Sequence, residues 1–222
     1  MQTVEALSGQ RAAPMSRQRP RIASRVAVSP TKRLFDIAVA GFAILFLLPA
    51  LVLIAFAVKL DSKGPVIFKQ RRSGLNGRQF HIYKFRSMSV MEDGDVVSQA
   101  KATDLRVTRV GGILRRTSLD ELPQFFNILK GDMSFVGPRP HALSHDKIFS
   151  EQVDNYELRF LAKPGLTGLA QVRGFRGEIR DACDIENRVQ SDIEYIENWS
   201  FVKDVKIMLG TVRVVLGDDN AY

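Results

Sequence analysis

Ile37–Val58 reads IAVAGFAILFLLPALVLIAFAV, 22 consecutive residues without a charge. Apart from Gly41 and Pro49, every side chain in it is Ala, Val, Ile, Leu or Phe. As a straight helix this stretch extends about 33 Å, enough to cross a hydrocarbon core of roughly 30 Å. The interior helix of a soluble protein is seldom so long and so uniform. A cleaved signal peptide fits poorly, because the run exceeds an h-region and no A-x-A site follows it. Pro49 removes one intrahelical hydrogen bond and crowds the preceding turn, so a kink is expected there. Lys32 and Arg33 precede the segment, and Lys59 and Lys63 follow it. The positive-inside tendency would place both ends in the cytoplasm, which a straight span cannot do. A bitopic helix merely bent at Pro49 satisfies the apolar length equally well, and the residues alone leave both paths open.

The charge outside this segment is unevenly spread. The 222 residues carry 32 Lys and Arg against 24 Asp and Glu, a formal net charge of +8. Residues 1–33 and 59–86 are strongly basic, whereas residues 87–222 are net acidic. A basic bracket around an apolar run suits an anionic membrane leaflet. Nucleic acid is disfavoured as a partner, since most of the chain beyond the bracket is acidic. An apolar content of 45% excludes a wholly disordered chain. The single cysteine, Cys183, excludes an internal disulfide framework and reads as an idle or buried thiol.

Further from the apolar run, residues 1–30 read as a disordered basic tail. Asp61–Pro65 is a turn, followed by strands at Val66–Lys69 and Phe80–Phe85 joined by a loop over Ser73–Gly77. Residues 87–104 read as a polar loop. Ser118 is placed to N-cap a helix with Glu121 as its capping-box partner and Pro123 in the first turn. Leu122, Phe125, Phe126 and Leu129 would be its apolar stripe, and Gly131 its end. Val136–Pro140 is too rigid for helix. Residues 144–161 and 184–216 read as helical, with Lys163–Gly168 a turn-rich loop. Ile193, Ile196, Trp199, Val202, Val205 and Leu209 form an apolar stripe facing either the core or a membrane. No repeat, GxGxxG or GxxxxGK[ST] occurs.

The densest chemistry lies in Leu114–Pro123, LRRTSLDELP. Asp120 and Glu121 could hold Mg²⁺ together with substrate phosphate oxygens, and one of them could attack phosphorus. Arg115 and Arg116 offer guanidinium groups for phosphate. An exposed capping box with solvated charges is the bland alternative. Arg139, between Pro138 and Pro140, is presented from a stiff loop and suits either a phosphate or a set of carbonyls. Lys84 and Arg86, at a strand end, face a phosphate or lie exposed. His141 and His145 have i,i+4 spacing but do not make a metal site with His81.

KRLFD at 32–36, DSKGPVIFKQRRSGLNG at 61–77, YKFRSM at 83–88, RRTSLDELPQFFNILKGDMSFVGPRP at 115–140, KPGLTGLAQVRG at 163–174 and DIEYIENWS at 192–200 together resemble the bacterial sugar transferase family of monotopic polyprenol-phosphate phosphoglycosyl transferases. The resemblance covers roughly residues 31–222. It implies transfer of a sugar 1-phosphate, glucose rather than galactose, from a UDP-sugar to undecaprenyl phosphate. The products would be undecaprenyl-diphosphate-sugar and UMP, at the start of exopolysaccharide or glycoconjugate synthesis. It makes Asp120 the nucleophile of a covalent aspartyl intermediate and Glu121 its partner, with Mg²⁺ held by both. Lys84, Arg115 and Arg139 match phosphate- or nucleotide-binding positions. The implied fold is mainly α with a small β-hairpin. Residues 31–60 would form a re-entrant helix-break-helix membrane hairpin broken at Pro49, and residues 61–222 a catalytic domain with interfacial amphipathic helices on the cytoplasmic face of the bacterial inner membrane. Larger relatives carry a further N-terminal domain with several spanning helices, so this chain would be the minimal core. A homo-oligomer would suit an interfacial enzyme of this size. The competing reading is a non-catalytic membrane scaffold of a polysaccharide assembly complex, which has no need of the Asp120–Glu121 and Pro138–Pro140 motifs.

Overall fold

A computed structural model describes residues 24–89, 104–175, 177, 179 and 182–217. The tail read over residues 1–30 lies mostly outside these, as does most of the loop read over 87–104. After a short turn of helix, α1 (Arg25–Val28), comes α2 (Pro30–Asp61). Pro30 occupies the first turn of α2, where no N–H is needed, and the Ser29 hydroxyl caps it by accepting from Lys32 N at 3.2 Å. The helix runs for 32 residues with Pro49 inside it. The break expected at Pro49 is therefore not an interruption of helical structure. Proline deletes one backbone bond there, but the turns on both sides are held by packing against the same body. Ala40, Ile44 and Leu47 join a core with Ile128, Met133 and Phe135. Leu51 and Val58 join another with Phe85 and Leu114. The opposite face, including Phe42, Leu45, Phe46, Leu53 and Phe56, is exposed. Among the described residues α2 is the one helix long and apolar enough to cross a membrane.

Both ends of α2 are tied down by polar contacts. At its start Lys32 Nζ pairs with Asp204 Oδ2 at 2.7 Å in a buried site. Arg33 donates to Ile128 O and Leu129 O, and Asp36 Oδ1 accepts from Phe135 N at 3.0 Å. At its end Arg86, fully buried, donates to the carbonyls of Val58, Ser62 and Pro65. Asp61 Oδ2 accepts from Val110 N at 3.0 Å. Arg86 thus neither faces a phosphate nor lies exposed: carbonyls at the helix exit and the Ser62 hydroxyl claim its guanidinium.

The expected hairpin is present. β1 (Ile67–Ser73) pairs antiparallel with β2 (Gln79–Phe85), Gln70 opposite Ile82. Asn76, in the left-handed region at φ 55°, turns the chain between them. Then come α3 (Arg109–Arg116) and α4 (Gln124–Lys130). Ser118 does not cap a helix. It adopts φ 57°, and Leu119–Glu121 form a single 3₁₀ turn. Glu121 N is satisfied by the Ser118 carbonyl at 3.2 Å, so the capping box has no orphan donor to serve. Gly131, at φ 91°, ends α4 as expected.

β3 (Ser134–Val136) and β4 (Gly165–Thr167) pair in parallel, between segments that read as rigid and turn-rich loops. Their closeness depends on glycine: a Cβ on Gly165 would collide with the backbone of Gly137. α5 (Leu143–Gln152) and a 3₁₀ segment, Tyr156–Leu161, lie between these strands, and α6 (Leu169–Val172) follows. The helix expected over 184–216 is two, α7 (Ala182–Glu197) and α8 (Phe201–Gly217). Ser200 separates them, its hydroxyl accepting from Lys203 N at 3.2 Å as a new N-cap. The stripe divides accordingly: Ile193 and Ile196 are buried, whereas Val202 and Leu209 are exposed.

Candidate active site

The 3₁₀ turn Leu119–Glu121 sits where α3, α4 and the end of β2 meet, and it carries two buried carboxylates. Lys84, on β2, reaches across from the sheet. Its Nζ lies 2.8 Å from Glu121 Oε1 and 4.0 Å from Asp120 Oδ2. Arg139 approaches from the other side and donates to the same Glu121 Oε1 at 2.9 Å. Of the residues singled out in the sequence, Asp120, Glu121, Lys84 and Arg139 therefore converge. Arg115 stands at the flank: its guanidinium lies 3.5 Å from Met88 Sδ, and its charge is felt at Asp120. Arg116 is exposed.

The two carboxylates are electrostatically unlike. Burial, joined by the neighbouring Glu121 charge, pushes the Asp120 carboxyl above its ordinary range against the pull of Lys84, Arg115 and Arg139. Burial also opposes the charge on Glu121, but Arg139 and Lys84 overcome it and hold that carboxyl well below its usual value. Glu121 is thus the fixed anion that organises the cations. Among the described residues Asp120 has one ion-pair partner, the more distant Lys84. A carboxylate so placed is more basic and less tightly engaged, which favours attack on an electrophile. No group of three His, Cys, Asp or Glu able to hold a metal occurs among the described residues. Two adjacent carboxylates still match Mg²⁺, which takes one or two protein oxygens and completes its shell with substrate phosphates and water.

The stiffness of the Arg139 loop comes from residues the sequence reading passed over. Each carbonyl in Pro138–Pro140 is captured: Pro138 O by Gly165 N at 2.9 Å, Arg139 O by Arg159 at 2.7 Å and Pro140 O by Arg72 at 3.1 Å. Arg139 itself faces Glu121. Arg159 is buried and also donates to Asp192 Oδ2 at 2.8 Å, Tyr156 Oη at 2.8 Å and His141 Nδ1 at 2.7 Å. His141 is therefore a buried strut. Burial, together with Arg159, Arg188, Arg72 and Arg139 around it, holds its imidazole well below the usual 6.5. The unfolded chain binds a proton there first, so stability should fall as pH drops below about 6.5. Unfolding midpoints at pH 7.5 and 5.5 should diverge less in His141→Gln than in the natural protein.

Asn127 was also missed. Fully buried on α4, it accepts from Tyr83 N at 3.0 Å and donates to His81 O at 2.7 Å. It stitches α4, which follows the Asp120–Glu121 turn, to β2 one residue from Lys84. The available signal was an amide within the stripe of Phe125, Phe126 and Leu129. Asn127→Leu strands two backbone groups and should cost about 2–4 kcal/mol in denaturant unfolding. Cys183 is free and exposed, so the buried alternative does not hold. His145 packs against the Phe149 ring.

Comparison with known proteins gives concordant matches. A family model described as bacterial sugar transferase matches residues 27–218. The chain is 51% identical over 198 residues to the UDP-glucose:undecaprenyl-phosphate glucose-1-phosphate transferase of Caulobacter vibrioides, covering 89% of this chain and 74% of that protein. It is 52% identical over 181 residues to the protein of the same name in Escherichia coli, covering 82% of this chain but 39% of that protein. It is 43% identical over 185 residues to a UDP-N-acetylgalactosamine-undecaprenyl-phosphate N-acetylgalactosaminephosphotransferase of Aeromonas hydrophila, covering 83% and 43%.

Proposed function

The chain belongs to the bacterial sugar transferase family, and from that premise we propose that it transfers glucose 1-phosphate from UDP-glucose to undecaprenyl phosphate. The observation that carries this reading is the division of labour between Asp120 and Glu121. In the first step an Asp120 carboxylate oxygen attacks the β-phosphorus of the nucleotide sugar. The bond from that phosphorus to the bridging oxygen breaks, and UMP leaves with the electron pair. In the second step an oxygen of the lipid phosphate attacks the same phosphorus and releases the Asp120 carboxylate. Lys84 and Arg139, already fixed by Glu121, face the oxygens on which charge accumulates, and Arg115 adds its field from the flank. Mg²⁺, held by Asp120 and Glu121, would neutralise diphosphate charge. Glucose as the donor rests on the names of the Caulobacter and E. coli relatives. The Aeromonas name indicates that the same scaffold accepts another sugar.

Re-entrant membrane insertion is part of the same proposal. Lys32, Arg33 and Asp36 bind one body at the start of α2, and the Arg86 and Asp61 contacts bind it at the end. A helix whose two ends attach to one polar domain leaves its exposed apolar face to dip into a single leaflet. In this reading both ends of the helix stay on the cytoplasmic face of the inner membrane, with Pro49 the point at which insertion would bend it. Accessibility labelling of cysteines placed at positions 29 and 63 should report the same side; opposite sides would exclude re-entry. The function itself is tested by UMP release from a series of UDP-sugars with undecaprenyl phosphate. Mg²⁺-dependent turnover fastest with UDP-glucose is expected, and no turnover with any donor would favour a scaffold.

A further inference from the structure

Beside the carboxylate pair lies a cavity of about 210 Å³ that the two-step chemistry does not use. Its apolar walls are Leu122, just after the Leu119–Glu121 turn, and Phe135, Leu166, Val172, Met208 and Val214 from β3, β4, α6 and α8. Glu121 also lines it, so the cavity opens on the reacting centre. The two threonine hydroxyls of the wall are not offered to a ligand. Thr167 and Thr211 bond each other at 2.6 Å, and Thr211 also donates to Ile207 O at 2.8 Å. A nucleotide or hexose placed here would strand its polar groups against Leu, Val, Met and Phe. α8 forms one wall, and its other residues Val202, Leu209 and Val212 are exposed and apolar.

Resting on the transferase reading, we propose that this cavity receives the first isoprene units of the polyprenyl phosphate acceptor. Glu121 marks the end at which the lipid phosphate meets Lys84, Arg139 and the aspartyl phosphate. The apolar chain then leaves along α8 towards the bilayer, so recognition reads the hydrocarbon next to the phosphate as well as the phosphate. Gln171 Oε1, also on the wall, is buried and has no hydrogen-bond partner among the described residues. It supplies the rival occupant, a donor hydroxyl that this oxygen would accept.

The test fills the cavity from a partly exposed wall position. Val214→Phe should raise KM for undecaprenyl phosphate roughly tenfold and leave KM for UDP-glucose unchanged. Unchanged acceptor KM, or a rise in donor KM instead, overturns the proposal. A natural protein without any turnover would instead remove the transferase reading itself. Should the variant fail to fold, a benzophenone-bearing farnesyl phosphate photolysed with the natural protein supplies the second measurement. Adducts confined to residues 166–172 or 208–214 are expected, and labelling elsewhere overturns the assignment.

Discussion

Asp120→Asn is expected to lower UMP release by roughly a thousandfold or more while leaving the protein at least as stable as before. The amide matches the carboxylate in shape but offers no nucleophilic oxygen. The stability half follows from the sign of the shift. Burial raises the Asp120 carboxyl above its ordinary 3.8, so the folded protein disfavours the ionised form relative to the unfolded chain. A neutral isostere relieves that cost, as is common where function opposes stability. Glu121→Gln should behave in the opposite way. Its carboxyl is held low by Arg139 and Lys84, so loss of its charge leaves both cations facing a neutral group and lowers the unfolding midpoint. UMP-release assays and thermal unfolding of the two variants give both readouts. Substantial turnover by Asp120→Asn would remove covalent catalysis by this residue, and equal destabilisation by both variants would remove the division of roles.

The second large effect is expected at Arg159, which touches no substrate in the proposed reaction. Arg159→Leu leaves Asp192 as a buried charge without its guanidinium and strips Arg139 O, Tyr156 and His141 of a donor. Breaking a buried pair in this way typically costs about 3–5 kcal/mol. Loosening the Pro138–Pro140 loop should also displace Arg139 from Glu121. Arg159 is then a positioning residue, and Arg159→Lys should restore charge but not the forked geometry that serves four partners at once. Denaturant unfolding measures the stability loss. Kinetics at temperatures where the variants remain folded separate the two roles: a fall in kcat in both variants supports positioning, whereas unchanged kinetics would leave Arg159 purely structural.

The carboxylate pair of the proposed site was legible in the sequence because its pattern is local. Asp120 and Glu121 are neighbours, and Arg139 is marked by its prolines. Their surroundings were not legible, because they depend on long-range closure. Arg159 and Asp192 are separated by 33 positions, and Lys32 and Asp204 by 172. Nothing local in either member of such a pair announces the other. The hairpin followed from alternation in Phe80–Phe85, and the apolar helix from length and composition. Ser118 misled because its spacing to Glu121 is that of a capping box, while a left-handed backbone and the Ser118 carbonyl serve the turn instead. The β3–β4 pairing was hidden for a related reason. Its glycines read as punctuation, yet here they permit two backbones to touch.

Covalent transfer through Asp120 is tested most directly by the intact mass of the protein mixed with UDP-glucose and Mg²⁺ without lipid acceptor. The expected result is a species heavier by one hexosyl phosphate, absent from Asp120→Asn and discharged when undecaprenyl phosphate is added. An unchanged mass in protein that turns over once both substrates are present would contradict it.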